Sequence, residues 1–493
     1  MQDPTPFSRS ARPGRRLLPQ ALLLAALLGA GLAQAQPVQV WQTSGDGRQL
    51  LAAQPDKALA PAPEGAARGA LITVDAGQRY QRMAGFGASI TDASAELIQR
   101  KLKPEQRQAL IAELFGRDQG GLGFSFTRLT IGASDFSSRH YSLADLPPGR
   151  TDPDLGRDFS LDKQRDDVLP VVRAALAVNP QLQIMATPWS APAWMKTSNS
   201  LVQGRLKPEM YGAFSDYLVR YVEAMGAEGV PIFALSVQNE PHFEPDNYPG
   251  MRVSPHERAE LIGRHLGPLL QQRGLGQLRI LDWDHNWDQP QSPLVVLADP
   301  VARPYVAGVA WHCYAGDVAA QSRVREAHPD KEVWFTECSG GNWAPRWGES
   351  MSWMMKQLII GSTRHWARGV LMWNLALDEN HGPHLGGCGD CRGVVTIDSR
   401  TGAITRNVEY AVFGHASRFV RPGAERIDSG ALRPDLDHVA FRNADDGSRV
   451  LIVSNASRRA QRFTVREGGR QFSHQLPAHG VVTFVWPEPA APR

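Results

Sequence analysis

A chain of 493 residues, 42% hydrophobic and 21% charged, is long enough for one large domain with a smaller companion, and this composition excludes a disordered or fibrous protein. The formal net charge of +3 belongs to the amino terminus: residues 1–35 hold Arg9, Arg12, Arg15 and Arg16 against one acid, Asp3, and the rest of the chain has as many acidic as basic side chains. A neutral chain without a Lys/Arg run gives no electrostatic reason to expect nucleic acid or an anionic membrane surface as partner.

In chain order, the arginines are followed by the apolar stretch Ala21 to Leu32 and by Ala33-Gln34-Ala35. This predicts a secretory signal peptide over 1–35, cleaved near Ala35, with export to the periplasm or the extracellular space. The apolar stretch is short for a bilayer span, an uncleaved anchor being the alternative, and Arg15-Arg16 admits twin-arginine export. No second segment reaches spanning length, so no stable membrane insertion is expected after cleavage. Residues 36–82 read as strands, Val38 to Gln54 and Leu71 to Gln81, around an Ala- and Pro-rich surface excursion at 55–69.

From 83 to 420, short apolar runs alternate with segments of helical period. The strand candidates are Met83 to Ile90, Phe124 to Gly132, Gln183 to Ser190, Ile232 to Glu240, Arg279 to Asp284, Val306 to Tyr314, Lys331 to Glu337 and Gly369 to Leu377. Between them lie helix candidates Asp92 to Phe115, Leu161 to Val178, Pro208 to Glu228, Pro255 to Gln272 and Glu349 to Ala367. Eight repeats over roughly 340 residues predict an α/β fold, a closed (β/α)8 barrel. Thr91-Asp92 and Ser254-Pro255-His256-Glu257 read as helix caps, and Asp92 as structural. After 421 come short alternating runs, His438 to Arg442, Arg449 to Ser454, Arg462 to Val465 and Val481 to Trp486, split by Asn, Asp and Gly turns. Together with the strands of 36–82, residues 421–493 predict one β-sandwich on the side of the barrel, ending in a frayed tail from Pro487.

Glu240 and Glu337 each close an apolar run. The carboxyl ends of barrel strands converge on one face, and two carboxylates there are what glycosidic bond cleavage requires. A single glutamate in that position is more often a solvated strand end; the surroundings favour a catalytic pair. Arg128, Asp135, Trp189, Trp194, Asn239, Trp283, Asp284, His312, Tyr314, Trp373 and Asn374 all fall at strand ends, where aromatic faces stack on sugar rings and polar groups hold hydroxyls. Trp334, Trp353 and Trp366 sit in apolar patterns and read as core, whereas Trp287, Trp343 and Trp347 read either as platforms or as loop packing. Cys388-Gly-Asp-Cys391 predicts a small disulfide ring, with a metal site as the alternative, and one CxxC without a second pair is a weak zinc signal. Asn455-Ala-Ser457 fits a glycosylation acceptor, a pattern frequent by chance.

The segments Gly85-Phe86-Gly87-Ala88-Ser89-Ile90-Thr91-Asp92, Ala186-Thr187-Pro188-Trp189-Ser190, Ser236-Val237-Gln238-Asn239-Glu240-Pro241, Phe335-Thr336-Glu337 and Trp373-Asn374-Leu375-Ala376-Leu377 resemble glycoside hydrolase family 30, the glucosylceramidase-like glycosidases. The resemblance implies a retaining β-glycosidase with Glu240 as acid/base, Glu337 as nucleophile oriented by Arg128, and Arg128, Asp135, Trp189, Asn239, Tyr314 and Trp373 as substrate-binding residues, with His312 and Asn374 joining them as strand-end hydrogen-bonding groups of the same wall. It implies no cofactor and no metal, and a β-glucoside, glycolipid or β-glucan as substrate. The chain departs from the lysosomal glucosylceramidases in the loop from Asp378 to Gly393 and at Cys313, where those enzymes carry tryptophan. A glucosylceramidase-like β-glucosidase is therefore the first expectation. An endo-β-1,6-glucanase, which needs an open groove with further aromatic platforms, is the nearest alternative, ahead of a β-xylosidase or β-fucosidase. A catalytically silent carbohydrate-binding protein and a metal-dependent hydrolase using His312, His381, His384 and the CxxC pair are the alternatives of other classes.

Overall fold

Eight of the apolar runs pair side by side in parallel in the structure, a computed structural model that describes residues 35–63 and 69–488. The barrel strands are β1 (Gly85–Ser89), β2 (Phe126–Ile131), β3 (Gln183–Pro188), β4 (Ala234–Ser236), β5 (Arg279–Asn286), β6 (Val306–His312), β7 (Glu332–Glu337) and β8 (Ala367–Asn374). Their order is β1-β8-β7-β6-β5-β4-β3-β2. Hydrogen bonds from Ser125 N to Phe86 O (3.1 Å) and from Ile90 N to Arg128 O (3.1 Å) bring β1 against β2 and close the ring. Gly87 sits in that seam: a Cβ there would lie 2.0 Å from the Phe126 carbonyl oxygen, so only glycine lets the two strands approach.

The expected strand Ile232 to Glu240 shortens to β4, beyond which Asn239 N–H still reaches Pro188 O of β3 (2.9 Å) and Glu240 N–H reaches Asp284 O of β5 (3.0 Å). The expected helix Asp92 to Phe115 is two, Asp92–Lys101 and Pro104–Phe115, since the proline excludes Lys103 from helical geometry. Thr91 caps the first of these, and Ser254 with Glu257 forms a capping box. Asp92 is half-buried and accepts hydrogen bonds from Ser137 and Tyr141, a structural placement.

Nine strands from both ends of the described chain build the β-sandwich: Gln36–Thr43, Ala52–Pro61, Ala70–Arg82, Glu425–Asp428, Leu436–Arg442, Arg449–Asn455, Gln461–Glu467, Arg470–Leu476 and Val481–Trp486. Ala70–Arg82 pairs with Gln461–Glu467 and then with Glu425–Asp428, joining the two sheets around Val38, Ile72, Phe463 and Phe484. Two expectations change. Val38 to Gln54 is a hairpin, turning through Ser44-Gly45-Asp46-Gly47, and residues 55–61 continue its second strand instead of leaving the surface. Asn455 is fully buried, its amide donating to Arg459 O, Leu476 O and Pro477 O, so it cannot accept a glycan. The expected signal segment lies outside the described residues, and among those described no helix is long and apolar enough to cross a membrane.

Candidate active site

Side chains two apart on a strand share a face, and six strands use that rule in the same way. Phe126, Met185, Ala234, Ala310, Trp334 and Leu371 form an apolar plug inside the barrel. Two residues further along stand Arg128, Thr187, Ser236, His312, Thr336 and Trp373, a layer rich in hydrogen-bonding groups on top of the plug. Two irregularities add acids to that layer. The β6–β7 pairing slips between Phe335 and Glu337, so Thr336 and Glu337 both reach the centre. On β5 the pairing slips between Trp283 and His285, where Trp283 and Asp284 adopt φ of 76° and 49°, and Asp284 turns inward where alternation would place Trp283. Glu240 also lies at positive φ, 46°, just beyond β4.

Arg128 is the hub. Its guanidinium donates to Glu337 Oε2 (2.5 Å), Asn239 Oδ1 (2.7 Å), Asp284 Oδ2 (2.7 Å) and Thr187 Oγ1 (3.3 Å), and packs over Trp189 and Trp373, whose rings stack 4.9 Å apart. Burial alone would push the Asp284 carboxyl up, but Arg128 and His312 hold it far below the usual carboxylate range, with Ser236 (2.6 Å) and Thr336 (2.7 Å) also donating to it. His312 presents Nδ1 to Glu240 Oε1 (3.1 Å) and Nε2 to Asp284 Oδ1 (3.0 Å). Burial disfavours its charge, but Glu337, Asp284 and Glu240 outweigh that and raise it to about 9, so the ring is an imidazolium donating from both nitrogens. Glu240 is raised by burial and by Glu337, against the pull of His312. Tyr314 donates its phenol to Glu337 Oε1 at 2.9 Å. Ligating oxygens of Glu240 and Glu337 lie within 4.8 Å of each other.

A cavity of about 550 Å3 opens over this pair, walled by Asp135, Trp189, Asn239, Tyr314 and Trp373, and on its far side by Tyr248 and the Cys388–Cys391 disulfide. Burial, with Glu337 and Glu240 adding, pushes Asp135 up to about 8. Three residues expected to bind substrate stand behind the wall, Arg128 in the place beside Glu337 that the resemblance implies. Arg128, His312 and Asn374 are fully buried behind the wall; the first two act on the carboxylates, and Asn374 Oδ1 accepts from Thr91 (2.8 Å). The Cys388–Cys391 bridge removes the thiolates a metal would need, and His381 and His384 bond loop carbonyls at Cys391 and Gly386. Glu240, His312 and Glu337 do converge, with potential ligand atoms within 4.8 Å of one another, which sequence spacing does not show.

A second cavity of about 600 Å3 shares the wall Tyr314, Ser339 and Trp343 and runs out to Trp353. Trp343 and Trp353 are 55% and 45% exposed, which overturns the core reading of Trp353. Trp334 does fill the barrel, Trp287 is buried beside Phe335, and Trp347 packs against Gly47 of the sandwich hairpin. Sequence missed the central role of Asp284, hidden by the irregularity in β5, and a second disulfide, Cys313–Cys338.

A parallel barrel with two carboxylates at the ends of its fourth and seventh strands, under a wall of stacked tryptophans, is the architecture of a barrel glycoside hydrolase. The chain belongs to glycoside hydrolase family 30: the family's TIM-barrel domain matches residues 83–420 and its β-sandwich domain residues 423–484. It is 33% identical to an endo-1,6-β-D-glucanase of Neurospora crassa over 96% of this chain and 100% of that one. It is 28% identical to the lysosomal acid glucosylceramidase of Mus musculus over 85% and 84% of the two chains. A solved endo-β1,6-glucanase superposes with a TM-score of 0.82 at 31% identity, covering 92% of this chain and all of that one.

Proposed function

We propose that the protein is a retaining endo-β-1,6-glucanase, with Glu337 as nucleophile and Glu240 as acid/base. Glu337, aimed by hydrogen bonds from Arg128 and Tyr314, attacks the anomeric carbon while Glu240 donates its proton to the leaving oxygen. Because Arg128 takes the carbonyl end of Asn239, a residue that lines the cavity, the amide NH2 is left to donate to a sugar 2-hydroxyl. Once the glycosyl ester forms, the charge on Glu337 disappears, one reason for the raised Glu240 pKa is gone, and Glu240 takes the proton of the incoming water.

The observation that carries the polymer is the second cavity, continuous with the first along Tyr314 and Trp343, with exposed tryptophans where further sugar rings would stack. The glucanase relatives support it. Export is part of the proposal, supported by the signal-like amino terminus and by two disulfides, which persist in oxidising compartments. The test is hydrolysis of β-1,6-glucan, aryl β-glucosides and glucosylceramide, with early products sized. Oligosaccharides of several lengths from the glucan are expected; turnover confined to glucosylceramide, or release of glucose alone, would move the substrate to the glucosylceramidase side.

A further inference from the structure

We propose that the Cys313–Cys338 disulfide is a positioning element of the active site, holding the Tyr314 phenol on Glu337 and thereby aiming the nucleophile. The inference rests on Glu337 being the nucleophile, and the closing experiment separates the two.

The bridge falls between the residues that matter. Cys313 lies between His312, which bonds Glu240 and Asp284, and Tyr314, which bonds Glu337. Cys338 directly follows Glu337 and precedes Ser339, the second acceptor of the Tyr314 hydroxyl at 3.4 Å. The β6–β7 ladder reaches its last pair at His312 and Glu337, past its register slip. The covalent link therefore takes over where backbone pairing stops.

Its two ends are held unequally. Cys338 is fully buried in the main core, and its carbonyl accepts the Trp373 N–H at 2.8 Å. Cys313 lines the second cavity, and Tyr314 is 46% exposed on the rim. Apart from the bridge, Tyr314 is tied by its N–H to Asn286 Oδ1 (3.0 Å) and by its phenol. An anchored Cys338 thus restrains the rim strand that carries the tyrosine, and the cavity gives a small reagent an approach to the bridge from the Cys313 side.

The competing view is that the bridge only stabilises the fold by closing a 25-residue loop. Kinetics on an aryl β-glucoside, well below each protein's melting midpoint, distinguish the two, using wild type, C313A/C338A, Y314F and the triple variant. Misplacing a catalytic group by about 1 Å costs on the order of 100-fold, so C313A/C338A is expected to lose roughly ten- to 100-fold in kcat with KM within about threefold. Tyr314→Phe should slow the wild type and add little in the C313A/C338A background. Dithiothreitol, which opens the bridge to two thiols while closing to its own cyclic disulfide, should lower wild-type kcat reversibly; any response left in C313A/C338A measures Cys388–Cys391. Wild-type kcat in C313A/C338A, or an equal Tyr314→Phe penalty in both backgrounds, would overturn the proposal. If C313A/C338A does not fold, reduction of the wild type decides: unchanged kcat with the thiols counted as free and circular dichroism intact overturns it. Full activity in Glu337→Gln would instead bring down the nucleophile assignment.

Discussion

Arg128 shows how one residue organises the chemistry. It is fully buried and faces two carboxylates, Asp284 and Glu337, so it is the counter-charge that permits both acids to be buried. Replacing one partner of such a network leaves uncompensated charge, so Arg128→Leu is expected to cost about 3–5 kcal/mol of stability in urea unfolding, besides its activity. A loss under about 1 kcal/mol would mean that the acids take up protons instead. Glu240→Ala should slow hydrolysis of the glucan by roughly 10²- to 10⁴-fold, the usual contribution of general acid–base catalysis, and an aryl glucoside with a good leaving group much less. Equal losses on both substrates would contradict its role as acid.

At the scale of elements, the strands whose ends carry this chemistry are legible as short apolar runs set between segments of helical period. Glu240 and Glu337 stood out for the same reason, as acids closing apolar runs. Asp284 is legible only as one more strand-end group, because its inward turn to the centre depends on an irregular pairing and positive φ at Trp283 and Asp284, which the residue types do not show. The Cys313–Cys338 bridge was equally hidden, since pairing follows from strand neighbours and not from spacing. The Gly85-Phe86-Gly87 segment carries part of the family resemblance, and its physical reason is the seam between β1 and β2. Gly87→Ala is expected to destabilise by about 1–3 kcal/mol or more, because its Cβ would meet the Phe126 carbonyl oxygen at 2.0 Å and backbone has to shift. An unchanged thermal midpoint would show that the seam has slack.

Across the whole molecule, the sandwich is joined to the barrel through buried polar contacts. His415, on the helix Val408–Ser417, bonds Thr43 (2.8 Å) and Thr483 (2.9 Å) of two sandwich strands, and burial holds it down at about 3. Its folded value is below its unfolded one, so its contribution is present above pH 6.5 and lost as pH falls towards 3. His312 behaves oppositely: raised to about 9, it contributes fully below 6.5 and loses that contribution as pH rises through 9. Each shift corresponds to roughly 3–5 kcal/mol, so stability should peak near neutral pH and His312→Asn should flatten the alkaline limb; a wild type level from pH 6.5 to 9 would mean that His312 is not an imidazolium. Barrel, sandwich and buried network together serve one claim, a covalent glucosyl-enzyme on Glu337. The most direct measurement is reaction with a 2-deoxy-2-fluoro-β-glucoside carrying a good leaving group, followed by mass analysis of the digested protein. The expected result is one added fluoroglucosyl group on the peptide containing Glu337; a label on Glu240, or no label while the glucan is hydrolysed to products of inverted anomeric configuration, would contradict it.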